Sequence, residues 1–262
     1  MKVAIVGGGV MGEAILGAAL GQAVFRAEDV TVIEKLESRR DILYTTYGVH
    51  VAGDYDAMAD AGLVILSVKP QEMQSVSGRL RPEAVLLSIM AGVTIASLSK
   101  AFGHDRIVRV MPNTPTAVKE GMSGWTATPA VNPDQRDYVQ RLLGAIGREI
   151  YFDDEKKLDM VTAVSGSGPA YVFLFIEALT EGGVAIGLPR AAAEELAIQT
   201  VYGSALYARE SGRSAAELRA AVTSPAGTTV AGLLELEKSA FRAAVIDCVR
   251  AAHARSVELG KA

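Results

Sequence analysis

A glycine cluster near the start of the chain has the spacing needed to hold a phosphate. It follows an apolar run at residues 2–6 and has the pattern G-x-G-x-x-G, in the residues Gly7, Gly8, Gly9, Val10, Met11 and Gly12. In the strand–turn–helix that this pattern predicts, Gly7 allows a tight turn, Gly9 lets the backbone approach a pyrophosphate, and Gly12 lets helix and strand pack closely. The unpaired N–H groups at the start of the helix are donors for phosphate oxygens. The chemistry indicated is the binding of a dinucleotide.

The charged residues after the second apolar run bear on which dinucleotide is bound. Glu34 follows Val30–Ile33, at the distance at which an acidic residue binds the ribose 2′-OH of NAD. Lys35, Arg39 and Arg40 lie within reach of the 2′-phosphate of NADP. Charges that open a helix are equally typical of a solvated surface. The sequence therefore leaves NADH and NADPH open.

Short β-branched runs alternate with helical patterns through the first half of the chain. Strands are predicted at residues 2–6, 30–33, 63–68, 84–89, 107–111, 121–128 and 148–152. The continuous apolar character of the first five is typical of strands covered on both faces. Helical patterns at 11–20 and 38–47, and a helix beginning near Asn132, lie between them. This order predicts an α/β fold with a Rossmann-type, doubly wound, mostly parallel sheet.

The second half has a different composition. From residue 153 onward, long Ala- and Leu-rich patterns are broken by Gly, Ser and Pro, and the pattern predicts no strand. We expect a dinucleotide-binding domain at 1–152 and an all-helical domain at 153–262, with a loop at 165–169 that opens a buried helix. The predicted helices at 171–186, 191–208 and 241–257 are apolar on more than one face, which a lone domain of this size does not cover. This predicts a homo-oligomer.

Composition excludes several classes of protein. The 262 residues include 26 Lys plus Arg and 30 Asp plus Glu, a formal charge of −4, and 50% are hydrophobic. Such a chain forms a large core and offers no electrostatic footprint for a nucleic acid. The single cysteine, Cys248, lies in an apolar helical pattern and is expected to be buried, and we expect no metal site and no membrane span. A reduced, cytoplasmic protein is predicted.

Five motifs together resemble one known family. They are residues 7–12, then Leu-Ser-Val-Lys-Pro at 66–70, Met-Pro-Asn-Thr-Pro at 111–115, Ala-Val-Ser-Gly-Ser-Gly-Pro-Ala-Tyr at 163–171, and Val-Thr-Ser-Pro-Ala-Gly-Thr-Thr at 222–229 followed by Gly232 and Leu233. Over nearly its full length the chain is similar to pyrroline-5-carboxylate reductase, the last enzyme of proline biosynthesis. The resemblance implies NADPH- or NADH-dependent reduction of a cyclic imine carrying a carboxylate, with a helical dimerisation domain and dimers that in relatives assemble into rings.

The resemblance also implies a set of cofactor-lining residues. They lie at the carboxyl ends of sheet strands, where ligands bind in open α/β sheets. Besides the glycine loop, Glu34 and Lys35, they are Asp54, Ser67, Val68, Lys69, Pro70, Met90, Ala91, Gly92 and Asn113. Asp54 stands where the family often has Asn, and an Asp in a turn is typical without any ligand.

The substrate loop is implied in the same way. Its candidates are Ser224, Ala226, Gly227, Thr228 and Thr229, because successive N–H groups in a small-residue turn that opens a helix can bind a carboxylate. Thr229 is the hydroxyl that would hydrogen-bond the imine nitrogen, as an orienting group and candidate proton relay. The family usually has Gly at position 226, so a positive φ there would strain Ala226 by about 1 kcal/mol.

Two other functions fit parts of the sequence. A reductase of a related imine, or a β-hydroxyacid dehydrogenase, shares the two-domain plan, but the latter needs a catalytic Lys in a helical context that the second half lacks. A non-catalytic dinucleotide sensor would be expected to have lost the substrate loop, and here the loop is intact.

Overall fold

The computed structural model describes residues 1–260 and divides into two compact units. The first comprises Met1–Ser167 together with the chain from Ala251 onward, and the second comprises Gly168–Arg250. The first unit contains an eight-stranded sheet, and the second is helical throughout.

The sheet has the strand order β3-β2-β1-β4-β5-β6-β7-β8. Its strands are β1 Val3–Val6, β2 Val30–Ile33, β3 His50–Ala52, β4 Leu63–Leu66, β5 Val85–Ser88, β6 Ile107–Met111, β7 Gly121–Ala127 and β8 Gly147–Tyr151. Neighbouring strands are parallel except β6 and β7, which are antiparallel. The predicted fold class is confirmed. Strand β3 was not predicted, because it has three residues and none is buried.

Helices cover the sheet, four of them between strands and a fifth after β8. They are α1 Val10–Gly21, α2 Glu37–Tyr47, α3 Ile95–Phe102, α4 Pro133–Ala145 and α5 Lys157–Val161, with short 3₁₀ helices at Ala27–Asp29, Asp56–Asp60, Pro70–Ser75 and Thr114–Val118. Helix α4 begins at the predicted cap: Asn132 and Gln135 form a reciprocal capping box.

Two hydrophobic clusters lie on opposite faces of the sheet. Successive residues of β1 alternate between them: Val3 and Ile5 belong to the cluster that contains Leu16 of α1 and Leu142 of α4. Ala4 and Val6 belong to the cluster that contains Met58 and Leu98. Because each face is covered, β1 and β4 are apolar and buried at every position, and their ends are held in place from both sides.

The second unit has little interior of its own. Its helices are α6 Gly168–Ala185, α7 Arg190–Glu210, α8 Ala215–Ala221, α9 Thr228–Lys238 and the larger part of α10 Phe241–Leu259. Helices α6 and α7 pack tightly, since a Cβ on Gly183 would lie 2.9 Å from the Cβ of Ala193. Within residues 168–250 the buried side chains are those of Thr180, Ala193 and Ala197. Many large apolar side chains are exposed, including those of Phe173 and Leu174.

Three expectations for this half were wrong. Residues 165–169 do not form a loop: α5 continues through a π-helical turn, Thr162–Gly166, toward α6. Helix α6 is largely exposed in the single chain rather than buried, and Cys248 is also exposed. The loop was predicted because residues 165–169 are Ser, Gly and Pro, which here form a π-helical turn and the start of α6. The other two errors have one origin, because apolar composition was taken to mean burial.

The helical stretch Lys157–Ala185 is long and apolar enough, by length and composition alone, to cross a membrane. A long apolar helix is equally typical of the interface between subunits, where a second chain covers it.

Candidate functional site

The glycine loop between β1 and α1 has the geometry of a phosphate cradle. Gly7 has φ of +102°, and a Cβ there would lie 2.9 Å from the carbonyl oxygen of Ser67. A Cβ on Gly12 would collide with the carbonyl oxygen of Gly7, whereas a Cβ on Gly9 would meet nothing within 4 Å. Packing within the protein therefore requires Gly7 and Gly12, and Gly9 faces open space beside the start of α1.

That space belongs to a cavity of about 230 Å³ at the carboxyl ends of β1, β2 and β4. The strand order reverses here, because β2 and β4 flank β1 on opposite sides. The cavity is lined by residues of the glycine loop and of three strand ends, namely Val6, Gly7, Gly9, Ile33, Glu34, Lys35, Tyr55, Ser67, Val68, Lys69 and Glu72. No side chain caps the amino end of α1, so its first N–H groups remain available to an anion. These residues fit a dinucleotide pyrophosphate.

The side chain of Glu34 is held in place beside the loop. One carboxylate oxygen accepts the N–H of Gly8 at 2.9 Å, and the other accepts the N–H of Leu36 at 3.0 Å. Arg40 supports the same segment, since its guanidinium donates to the carbonyl oxygens of Glu34 and Lys35, each at 2.8 Å. Lys35 donates to the hydroxyl of Ser75 at 3.1 Å.

Arg39 supports the loop from the opposite side. It donates to the carbonyl oxygen of Gly8 at 2.7 Å and pairs with the carboxylate of Glu13. Glu13 also accepts the hydroxyl of Tyr47 at 3.1 Å. Burial raises the pKa of the Tyr47 phenol, and the nearby Glu13 carboxylate raises it further, so the phenol is a neutral donor. Arg39 is thus part of the loop's framework and is not a freely solvated charge.

Ser67 joins the end of β4 to the glycine loop. Its hydroxyl lies 2.6 Å from the carbonyl oxygen of Gly7 and 3.0 Å from that of Val6. The following Lys69 and Pro70 begin the 3₁₀ helix Pro70–Ser75. Asp54 lies in a turn of its own, where its carboxylate accepts the N–H of Asp56 at 3.1 Å.

Met90, Ala91 and Gly92 follow β5 and form a tight turn. The Ser88 hydroxyl accepts the N–H of Met90 at 3.2 Å. Gly92 has φ of +75°, and a Cβ there would lie 3.1 Å from the Cβ of Leu259. The turn is therefore held between the end of β5 and the end of α10.

A charge network around the buried Arg109 holds the start of α3, which follows this turn in the chain, and sequence reasoning missed it. Arg109 of β6 is 5% exposed and pairs with Glu155 at 2.8 Å. Glu155 also accepts the N–H of Ile95, the first residue of α3, at 2.8 Å. Asp159, 3.9 Å from Arg109, accepts the hydroxyl of Ser256 at 2.7 Å. A charged residue inside a strand predicted to be covered on both faces was the available signal, because such a charge needs a partner.

Asn113 connects the end of β6 to the π-helical turn. Its amide nitrogen donates to the carbonyl oxygen of Ser165 at 3.2 Å and to the Ser165 hydroxyl at 3.3 Å, and its amide oxygen accepts the N–H of Met122 at 2.8 Å. π-helical turns are frequent at functional sites. Ser165 is a further residue that sequence reasoning did not assign to the site.

The candidate substrate loop lies in the second unit and opens α9. The N–H of Gly227 donates to the carbonyl oxygen of Ser224 at 3.1 Å, which closes a turn. Ala226 has φ of +56°, so the position does require the left-handed conformation that Gly adopts without strain. Gly227 is the N-cap and offers no side chain. The first N–H groups of α9, at Thr228 and Thr229, therefore point out of the helix end as donors for a carboxylate.

Comparison with known proteins decides the family. Residues 155–259 match the family model described as pyrroline-5-carboxylate reductase dimerisation, and residues 2–92 match that described as NADP oxidoreductase coenzyme F420-dependent. A pyrroline-5-carboxylate reductase of Synechocystis is 44% identical over 100% of this chain and 99% of its own length. The chain belongs to the pyrroline-5-carboxylate reductase family.

Solved structures of the family agree with the fold. A pyrroline-5-carboxylate reductase from Coxiella burnetii is 34% identical and superposes with a TM-score of 0.91, covering 100% of this chain and 99% of that one. The Plasmodium falciparum pyrroline carboxylate reductase, solved with NADP bound, is 29% identical with a TM-score of 0.86, covering 99% and 98%. Family membership makes the chain an NAD(P)H-dependent oxidoreductase acting on a small molecule. The dimerisation match spans the exposed apolar helices and indicates that they take part in oligomerisation.

Proposed function

We propose that this protein reduces 1-pyrroline-5-carboxylate to L-proline with NAD(P)H. The observation that carries the proposal is family membership over the full chain. The close packing at Gly7 and Gly12 and the turn that precedes α9 support it. The alternatives are reduction of a related imine or of a β-hydroxyacid on the same fold, and a dinucleotide sensor without turnover.

The reaction makes modest demands on the chain. The reduced nicotinamide supplies a hydride to the imine carbon, and one proton is added at the nitrogen. A protonated imine is already a good hydride acceptor, so the protein mainly holds the ring in a near-attack arrangement. No strong acid or metal is required. Among residues 1–260 no group of three or more His, Cys, Asp or Glu is placed to bind a metal ion, and the lack of a metal stays a prediction.

We assign substrate binding to the loop before α9. The N–H groups of Ala226, Thr228 and Thr229 would bind the carboxylate. Gly227 and Ser224 would shape the loop, because the N–H of Gly227 donates to the carbonyl oxygen of Ser224 and closes the turn. Thr229 would hydrogen-bond the ring nitrogen and orient it. An unperturbed hydroxyl is a poor acid at neutral pH, so its contribution is orientation and relay of a proton.

We assign cofactor binding to the residues around the 230 Å³ cavity and to the segments that follow β5 and β6. Gly7 to Gly12 would hold the pyrophosphate, Glu34 and Lys35 the adenosine ribose, and Ser67, Val68, Lys69 and Pro70 the rim. Met90, Ala91, Gly92 and Asn113 would line the nicotinamide side. Asp54 is the weakest member of this set, because its turn-forming hydrogen bond accounts for it without a ligand.

We further propose functional domains at 1–152 and 153–262, association into a homodimer or a ring of dimers, and a cytoplasmic location without nucleic-acid or membrane partners. The exposed apolar helices and the dimerisation match support the homodimer.

The direct test mixes the purified protein with 1-pyrroline-5-carboxylate and either NADH or NADPH, follows the absorbance of the reduced nicotinamide, and identifies the product. Oxidation coupled to formation of L-proline is expected. A panel of other cyclic imines and β-hydroxyacids tests the alternatives. If one of these compounds is turned over faster than 1-pyrroline-5-carboxylate, that compound is the substrate. Cofactor binding with no turnover of any of them would support the sensor.

A further inference from the structure

The carboxylate of Glu34 stands at the position where a nucleotide ribose meets a Rossmann-type sheet, and it cannot easily move away. Its oxygens accept the N–H groups of Gly8 and Leu36, and displacing it would leave both donors unpaired. A Cβ on Gly8 would lie 3.4 Å from the same carboxylate, so the loop packs directly against it. A carboxylate has about four acceptor positions, and those that remain suit the two hydroxyls of a ribose.

The two arginines that follow Glu34 are already committed to protein partners. Arg39 is bound by the carbonyl oxygen of Gly8 and the carboxylate of Glu13, and its side chain is 25% exposed. Arg40 is bound by two backbone carbonyl oxygens. Within residues 34–40, Lys35, whose partner is the exposed Ser75 hydroxyl, is the cation that can be released at little cost. Lys69 also lines the cavity, from the segment that follows β4. A 2′-phosphate beside Glu34 would therefore meet a fixed negative charge, and of the three cations of its own segment Lys35 alone could turn toward it.

We propose that this protein binds NADH in preference to NADPH and that Glu34 is the residue that discriminates. The inference rests on the proposed cofactor-dependent function and goes against the nucleotide named for one matched family model and one solved relative, both of which specify NADP. The physical cause is repulsion between the Glu34 carboxylate and a 2′-phosphate at close range. A ribose 2′-hydroxyl instead donates a hydrogen bond to that carboxylate.

The test measures binding without turnover. Isothermal titration of the cofactor-free protein with NADH and with NADPH gives the ratio of the two dissociation constants, which we expect to favour NADH by about tenfold or more. The pair AMP and adenosine 2′,5′-bisphosphate repeats the measurement on the adenosine end alone. Glu34→Gln removes the charge and nearly keeps the shape of the side chain. It should lower the ratio of the NADPH dissociation constant to the NADH dissociation constant by about tenfold.

Glu37→Gln is the matched control. Glu37 is exposed and begins α2, so its substitution changes the net charge equally without touching the ribose position and should leave the ratio within about twofold. Equal or tighter binding of NADPH by the unaltered protein overturns the inference and leaves the proposed function standing. An equal change of this ratio in Glu34→Gln and Glu37→Gln also overturns the inference, because the change would then come from the net charge of the protein and not from the position of Glu34. If the protein binds neither NADH nor NADPH, the proposed function itself is contradicted.

Discussion

The two candidate sites are built in opposite ways. In the sheet unit, the glycine loop is held by Ser67, Glu34 and Arg39, and the strands behind it are buried on both faces. In the helical unit, the substrate loop opens a helix whose neighbours expose apolar side chains such as Phe173 and Leu174. One chain is enough to complete the first site's framework. The second unit lacks a covering for its helices, and a partner subunit is the natural source of one.

The largest effect is expected at Gly12, because the packing of the glycine loop leaves no room there for a side chain. In Gly12→Ala the new Cβ collides with the carbonyl oxygen of Gly7, which should cost about 2–3 kcal/mol of folding free energy and abolish measurable cofactor binding. The readouts are urea unfolding and titration with NADH. Gly144→Ala is the matched control in α4, where the Cβ meets nothing within 4 Å, and it should be neutral or stabilising by up to about 1 kcal/mol. Equal losses of stability and of NADH binding in Gly12→Ala and Gly144→Ala would contradict the conclusion that packing of the loop requires Gly12.

The contrast between the units predicts a second large effect. Phe173 and Tyr44 are similarly exposed in one chain, at 60% and 63%. In Phe173→Asp, an interface would have to bury a charge, so association should weaken about a hundredfold or more. Tyr44→Asp lies on the sheet unit and should leave association unchanged. Sedimentation over a range of concentrations measures both, and an unaltered oligomer in Phe173→Asp would remove α6 from the interface.

A third prediction concerns catalysis. Thr229→Ala should lower kcat by about tenfold to a hundredfold, because the ring nitrogen loses an orienting hydrogen bond. The dissociation constant of the cofactor should not change, since the cofactor framework lies in the other unit. Thr229→Ser keeps the hydroxyl and should restore most of kcat. Normal turnover by Thr229→Ala would exclude the hydroxyl from the mechanism.

The smallest effect tests the strain in the substrate loop. Ala226 has φ of +56°, so Ala226→Gly should stabilise the protein by roughly 0.5–1 kcal/mol. Ala231→Gly, within α9, should destabilise by about 1 kcal/mol. Both are read from urea unfolding at one protein concentration, because association contributes to the measured stability. The same sign for both variants would mean that Ala226 is not strained.

Much of the sheet unit was predictable from local patterns. Continuous apolar runs located β1, β2, β4, β5 and β6, because strands covered on both faces are apolar at nearly every position. The predicted strands at 121–128 and 148–152, on either side of the helix that begins near Asn132, correspond to β7 and β8. The G-x-G-x-x-G spacing located the cradle, since Gly12 packs against the carbonyl oxygen of Gly7 within one strand–turn–helix. The contact of Gly7 with Ser67, at the end of β4, was not part of that prediction. Strand β3 was missed because an exposed three-residue strand has no apolar signal.

Features that depend on contacts between residues far apart in the chain could not be predicted from the sequence. The network of Arg109, Glu155 and Asp159 joins positions far apart in the chain. The contact of Asn113 with Ser165 depends on a π-helical turn that no residue pattern predicted. The sequence predicted strain at Ala226 only if its φ were positive. It did not predict the sign of φ, because alanine itself does not favour positive values.

By itself the sequence determined the fold class, the position of the phosphate cradle and the family, because these depend on the periodicity, glycine spacing and motif order of contiguous segments. Only the tertiary structure decided how the charges around Glu34 are used. Arg39 and Arg40 lie close to it in sequence, yet their hydrogen bonds go to backbone carbonyls and to Glu13. A guanidinium whose donors are bound by protein oxygens offers little to a ligand, and proximity in three dimensions decides which donors are bound. The Glu34 carboxylate keeps acceptor positions beyond the two that it uses.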